Sequence, residues 1–90
     1  LFVCFGELEQ QQALLYAQSI RSNGIACEVY PDVAKMKKQM QYANDRGIPY
    51  VGIIGETELK SHIITLKHMQ SGEQQLLNIQ QCIDVLATNN

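Results

Sequence analysis

Two carboxylates, Glu56 and Glu58, follow the turn residue Gly55 and lead into Lys60 and, further on, Lys67. This is the stretch whose residue types can do chemistry. A carboxylate accepts hydrogen bonds from guanine N1–H and N2–H or from cytosine N4–H, which makes Glu58 a candidate for reading a base. The same residue also suits a solvated turn or a helix cap. Acid–base catalysis by the pair would need a metal ligand set or a partner that splits their pKa values, and nothing nearby in sequence offers either. Both histidines, His62 and His68, fall in a hairpin region. No Ser or Cys stands in a nucleophile-elbow motif, and Gly52 and Gly55 do not form a phosphate-cradling loop. The chain is therefore expected to carry no catalytic residues. Cys4, Cys27 and Cys82 are odd in number, widely spaced and remote in sequence from the histidines, so reduced thiols packed in a core are expected rather than a metal site.

Cations and aromatics supply the remaining candidates. Lys35, Lys38 and Gln39 read as the polar face of a helix, where they can meet phosphates or base edges, or stand as ordinary solvated groups. Among the rings, Phe2, Phe5 and Tyr16 lie in apolar patterns and are expected in the core. Tyr42 and Tyr50 are expected to seal the packing of the second predicted helix on the sheet. Tyr30, ending a strand beside Pro31, is the best candidate to stack on a splayed base.

These residues must be held by elements that the pattern predicts. Leu1 to Phe5 reads as a buried strand closed by Gly6. Residues 7–22 follow as a helix with Ala13, Tyr16, Ala17 and Ile20 on one face, stopped by Asn23 and Gly24. Residues 25–30 read as a second strand, broken by Pro31, with Asp32 placed to cap a second helix. That helix carries Val33, Met36, Met40 and Ala43 on its apolar face, sets Lys35, Lys37, Lys38 and Asp45 elsewhere, and ends at Gly47. Residues 49–54 form strand three. Residues 62–69 and 73–77 flank Gln70-Ser71-Gly72 as a hairpin, and Asn78 with Gln81 resembles a capping box for a last helix bearing Ile79, Cys82, Ile83 and Leu86. Strand-helix-strand-helix-strand implies parallel pairing, and the rest breaks that rhythm. The expectation is an α/β fold, a mixed sheet of about five strands flanked by three helices.

Ninety residues with 46% hydrophobic content suit one small domain, residues 1–90. Leu1 is not an initiator Met and enters a strand at once, so the sequence reads as a piece of a longer protein. Its apolar runs reach about five residues, against the roughly 20 a membrane span needs. No membrane association and a cytoplasmic location are expected. A net charge of -2 argues against a general nucleic-acid binder, so phosphate affinity would have to come largely from the rest of the parent protein.

The run from Tyr42 through Gly47-Ile48-Pro49-Tyr50-Val51-Gly52-Ile53-Ile54-Gly55-Glu56 to Lys60, continuing through Ile64-Thr65-Leu66-Lys67 to Ser71-Gly72-Glu73-Gln74, resembles the C-terminal anticodon-binding domain of class II aminoacyl-tRNA synthetases. The histidyl-tRNA synthetase family is the most similar, and the resemblance covers nearly all ninety residues. It implies a domain that holds the anticodon stem-loop of tRNA(His). It further implies a parent histidine-tRNA ligase that uses ATP and Mg²⁺ in its own catalytic domain and works as a homodimer, with no cofactor in this piece. In the related threonyl domain a Glu and an Arg nine residues later contact anticodon bases; the same spacing here joins Glu58 to Lys67, although Lys lacks the planar fork of Arg. Val33 stands where the threonyl family has an Asn that helps read the anticodon. Together the resemblance, for Glu58 and Lys67, and the residue reading, for Tyr30, Lys35, Lys38 and Gln39, give the expected tRNA-binding residues. A synthetase-like regulatory subunit of histidine biosynthesis, or another paralogue using this domain for protein contacts, is the alternative, which the acidic balance favours mildly.

Overall fold

The computed structural model describes residues 1–32 and 35–88. Val33, expected on the apolar face of the second helix, lies outside the described residues. Among them the chain runs β1 (Phe2–Cys4), α1 (Glu7–Ser22), α2 (Met36–Asp45), β2 (Tyr50–Ile54), α3 (Glu56–Ser61), β3 (Ile64–His68), β4 (Gln74–Leu77) and α4 (Ile79–Thr88). The sheet order is β1-β2-β3-β4. β1 runs parallel to β2, Cys4 opposite Ile54, and the other pairs are antiparallel, with Val51 opposite Lys67 and Lys67 opposite Gln74. The mixed α/β architecture is as expected; the counts, four strands and four helices, are not.

Residues 25–30 do not form a full strand. They meet β1 through one bridge, Phe2 with Val29, held by Phe2 N–H to Glu28 O at 2.8 Å and Tyr30 N–H to Phe2 O at 3.0 Å. β1 is three residues long, and a side chain occupies the next pair of hydrogen-bonding groups on its outer edge. The buried Gln39 accepts the Cys4 N–H through Oε1 at 3.0 Å and donates from Nε2 to the Cys4 carbonyl at 2.9 Å.

The extra helix is α3, which the sequence reading takes as a turn. Gly55 N–H donates to Glu58 Oε1 at 2.7 Å, half of a capping box, since glycine has no side chain to return the bond. Six residues are too few to show helical periodicity in sequence. The expected box on the last helix is present in full: Gln81 N–H to Asn78 Oδ1 at 2.8 Å and Asn78 N–H to Gln81 Oε1 at 2.9 Å. The hairpin turns where expected, with Gly72 at φ 80, a left-handed conformation that favours glycine.

Side-chain alternation along the strands divides the core in two. Phe2, Cys4, Ile54, Ile64 and Leu66 pack with Ala13, Tyr16, Ala17 and Ile20 of α1 and Cys82 and Ile83 of α4. Val3 and Val51 pack on the other face with Ala43, Met36 and Met40 of α2. All three cysteines are free, and burial pushes the Cys4 and Cys82 thiols up to about 12. Two ring assignments change. Phe5, expected in the core, is 57% exposed, because the strand ends at Cys4 and the chain bends away before it can bury the next side chain. Tyr50 packs on the α1/α4 face beside His68, opposite the helix it was expected to seal.

Candidate nucleic-acid interface

The Gln39–Cys4 pair locates the site. A crossover helix runs antiparallel to the strands it joins, so anchoring Gln39 at the last residue of β1 puts the preceding turn of α2 at the C-terminal edge of the parallel pair. Lys35 caps that turn, with its carbonyl accepting N–H bonds from Lys38 at 3.0 Å and Gln39 at 3.2 Å. Lys35 and Lys38 are exposed. They line a shallow depression of about 490 Å³ together with Lys37, Gln41, Tyr30, Tyr42 and one acid, Asp45. Open α/β sheets meet ligands at this edge, beyond the carboxyl ends of the strands.

Glu58 stands at the same edge, in the first turn of α3. Its Oε1 is committed to the Gly55 N–H, so it is a helix-capping acid, one of the roles its residue type allows; a carboxylate has further acceptor sites with which to meet a ligand. The exposed ion pair between Lys60 Nζ and Glu56 Oε1, 3.0 Å, braces the outer face of this helix.

Lys67 lies elsewhere. It is half-buried on β3 opposite Val51, on the α2 face by alternation with Leu66. Val51 precedes Gly55 by four residues, about 13 Å of strand. Glu58 and Lys67 therefore flank the sheet face rather than meet at a point.

Tyr30 is buried at 9% exposure, edge-on to Tyr42 with ring centroids 5.2 Å apart. Tyr42 is held in turn by its hydroxyl donating to Glu28 Oε1 at 3.2 Å and by the Arg46 guanidinium 4.8 Å above its ring. Tyr30 thus floors the depression instead of presenting a free face. Gln39, expected on the polar face, is fully buried. Its spacing carried the signal: 36, 39, 40 and 43 form one helical stripe, and only its polar type placed it outside. Phe5 was missed in the opposite sense, its apolar type placing it inside. No group of His, Cys, Asp and Glu that could hold a metal occurs among the described residues.

The fold and this edge define a small four-stranded α/β module that presents an acidic helix start and a lysine-lined depression. The chain belongs to the anticodon binding domain family, whose model matches residues 3–89. It is 45% identical over 86 residues to a histidine–tRNA ligase of Phocaeicola vulgatus, covering 96% of this chain and 19% of that protein. It is 50% identical over 78 residues to that of Christiangramia forsetii, covering 87% and 17%. Apo histidyl-tRNA synthetase of S. aureus superposes with a TM-score of 0.82 at 27% identity, over 94% of this chain and 22% of that one. The chain spans about a fifth of the length of the curated relatives it matches. Among the described residues, no helix is long and apolar enough to cross a membrane.

Proposed function

We propose that residues 1–90 form the anticodon-binding domain of a histidine–tRNA ligase and hold the anticodon stem-loop of tRNA(His). The observation that carries the reading is the convergence of Lys35, Lys38 and Glu58 on one sheet edge of a chain in the anticodon-binding family. Lysines position phosphates there without reading sequence, whereas the carboxylate reads N–H edges of bases. Lys67 contributes charge along the open face beside α2. Tyr30 and Gln39 act through position, the first as the floor of the depression and the second by fixing α2 to β1.

The parent enzyme activates histidine with ATP and Mg²⁺ in a catalytic domain of the same chain, and works in the cytoplasm as a homodimer. This domain adds affinity and identity at a distance from that chemistry. Aminoacylation by the full-length chain, compared between native tRNA(His) and a minihelix lacking the anticodon arm, tests the reading. Lys35→Ala with Lys38→Ala should weaken the native tRNA and leave the minihelix unchanged; equal loss on both would refute it.

A further inference from the structure

Phe5 sits where the two parts of this edge meet. Its N–H donates to the Ile54 carbonyl at 3.2 Å, which ties it to the end of β2. A Cβ built on Gly55 would come within 3.1 Å of the Phe5 ring carbon Cδ2 and 2.9 Å of Glu58 Oε1. Gly55 is extended, φ -109 and ψ -171, a conformation any residue adopts, so the glycine is required for room. Ring and carboxylate close on it together, and the ring stays 57% exposed.

A ring left in water beside a carboxylate fits one ligand chemistry well. An unstacked nucleobase covers the ring with its π face while its N–H edge reaches the acid. In sequence Gly6 and Glu7 follow the ring, with Leu8 the next exposed apolar side chain, and Glu56 and Glu58 follow Gly55. The acids repel phosphate, so the part of a nucleotide that the ring can meet is the base and not the backbone. We propose that Phe5 is a stacking platform for an unpaired base of the anticodon loop, with the Glu58 carboxylate accepting an N–H of that base or its neighbour. This deepens the reading above and rests on it.

The test is a thermodynamic cycle on the full-length chain. Equilibrium binding is measured for wild type, Phe5→Leu and Phe5→Tyr against tRNA(His) transcripts that carry an abasic nucleotide at each anticodon-loop position in turn, and against the minihelix. Leu keeps apolar bulk without a π face, and Tyr keeps the ring. Phe5→Leu should weaken the intact tRNA roughly 5- to 100-fold, and Phe5→Tyr should bind like wild type. One abasic position should produce a similar loss that Phe5→Leu does not deepen, since both remove one contact. Full additivity at every position, or Phe5→Leu binding like wild type while abasic sites still weaken it, overturns the role of Phe5 and leaves the anticodon reading standing. Wild-type binding that ignores every abasic site and matches the minihelix overturns both.

Discussion

The side-chain amide of Gln39 pairs with both backbone groups of Cys4, Oε1 to N–H at 3.0 Å and Nε2 to C=O at 2.9 Å, and so extends the outer edge of β1 where the chain itself does not. Both groups are buried, so the pair ties the first turns of α2 to the end of β1.

Removing that amide leaves two buried backbone groups unpaired. Gln39→Met, which keeps length and bulk, should cost about 2 to 6 kcal/mol, the sum of two desolvated groups. Urea unfolding of the ninety-residue domain measures it; a loss within about 0.5 kcal/mol, the scale of a surface substitution, would show that water replaces the amide.

Gly55→Ala meets no backbone obstacle but places a methyl 2.9 Å from Glu58 Oε1 and 3.1 Å from the Phe5 ring. The cap or the ring must move. The expected cost is about 1 kcal/mol for the weakened cap, and chemical shifts of Phe5 and Glu58 should change together. A variant with wild-type stability and unmoved Phe5 resonances contradicts this packing.

Burial raises the Cys4 and Cys82 thiols from 9.0 to about 12. Between those values the unfolded chain has lost thiol protons that the folded domain retains. Stability is therefore complete below pH 9 and falls as pH rises toward 12. Unfolding midpoints taken from pH 8 upward should show this slope, and a double substitution, Cys4→Ala with Cys82→Ala, should flatten it relative to wild type. An unchanged slope would place its origin in other groups.

Glu58→Gln should separate cap from reader. The amide keeps an acceptor for Gly55 but loses the charge at the α3 N-terminus, a cost of about 0.3 to 1 kcal/mol. It also brings donors against base N–H groups, so discrimination between the native and a substituted anticodon should fall. Lys67→Ala, if its partner is phosphate, should weaken all tRNAs alike and lower the salt slope by roughly one unit. Aminoacylation kinetics at two salt concentrations distinguish these outcomes; unchanged kcat/KM for every transcript in both variants contradicts the placement of the site.

Much of this was legible because it rests on periodicity. The α1 stripe Ala13, Tyr16, Ala17 and Ile20 is buried as its spacing predicts, and the Asn78–Gln81 box forms as written. Lys35 and Lys38 are exposed, as helix charges should be. The misreadings arose where residue type outweighed position. Gln39 is polar but lies on the apolar stripe, satisfied by a backbone edge that no local pattern displays. Phe5 is apolar but follows the last strand residue, where no layer remains to cover it. Tyr30 looked available because it ends an extended segment, yet Tyr42, twelve residues on, packs against it. α3 hid because its cap couples Glu58 to a glycine.

Chemical-shift mapping tests the central claim most directly. Titrating the ¹⁵N-labelled domain with a tRNA(His) anticodon stem-loop should perturb amides of Phe5, Gly55, Glu58, Lys35 and Lys38 first, with binding weakened by salt. Shifts concentrated on the exposed faces of α1 and α4, or none at saturating stem-loop, would contradict an anticodon site on this edge.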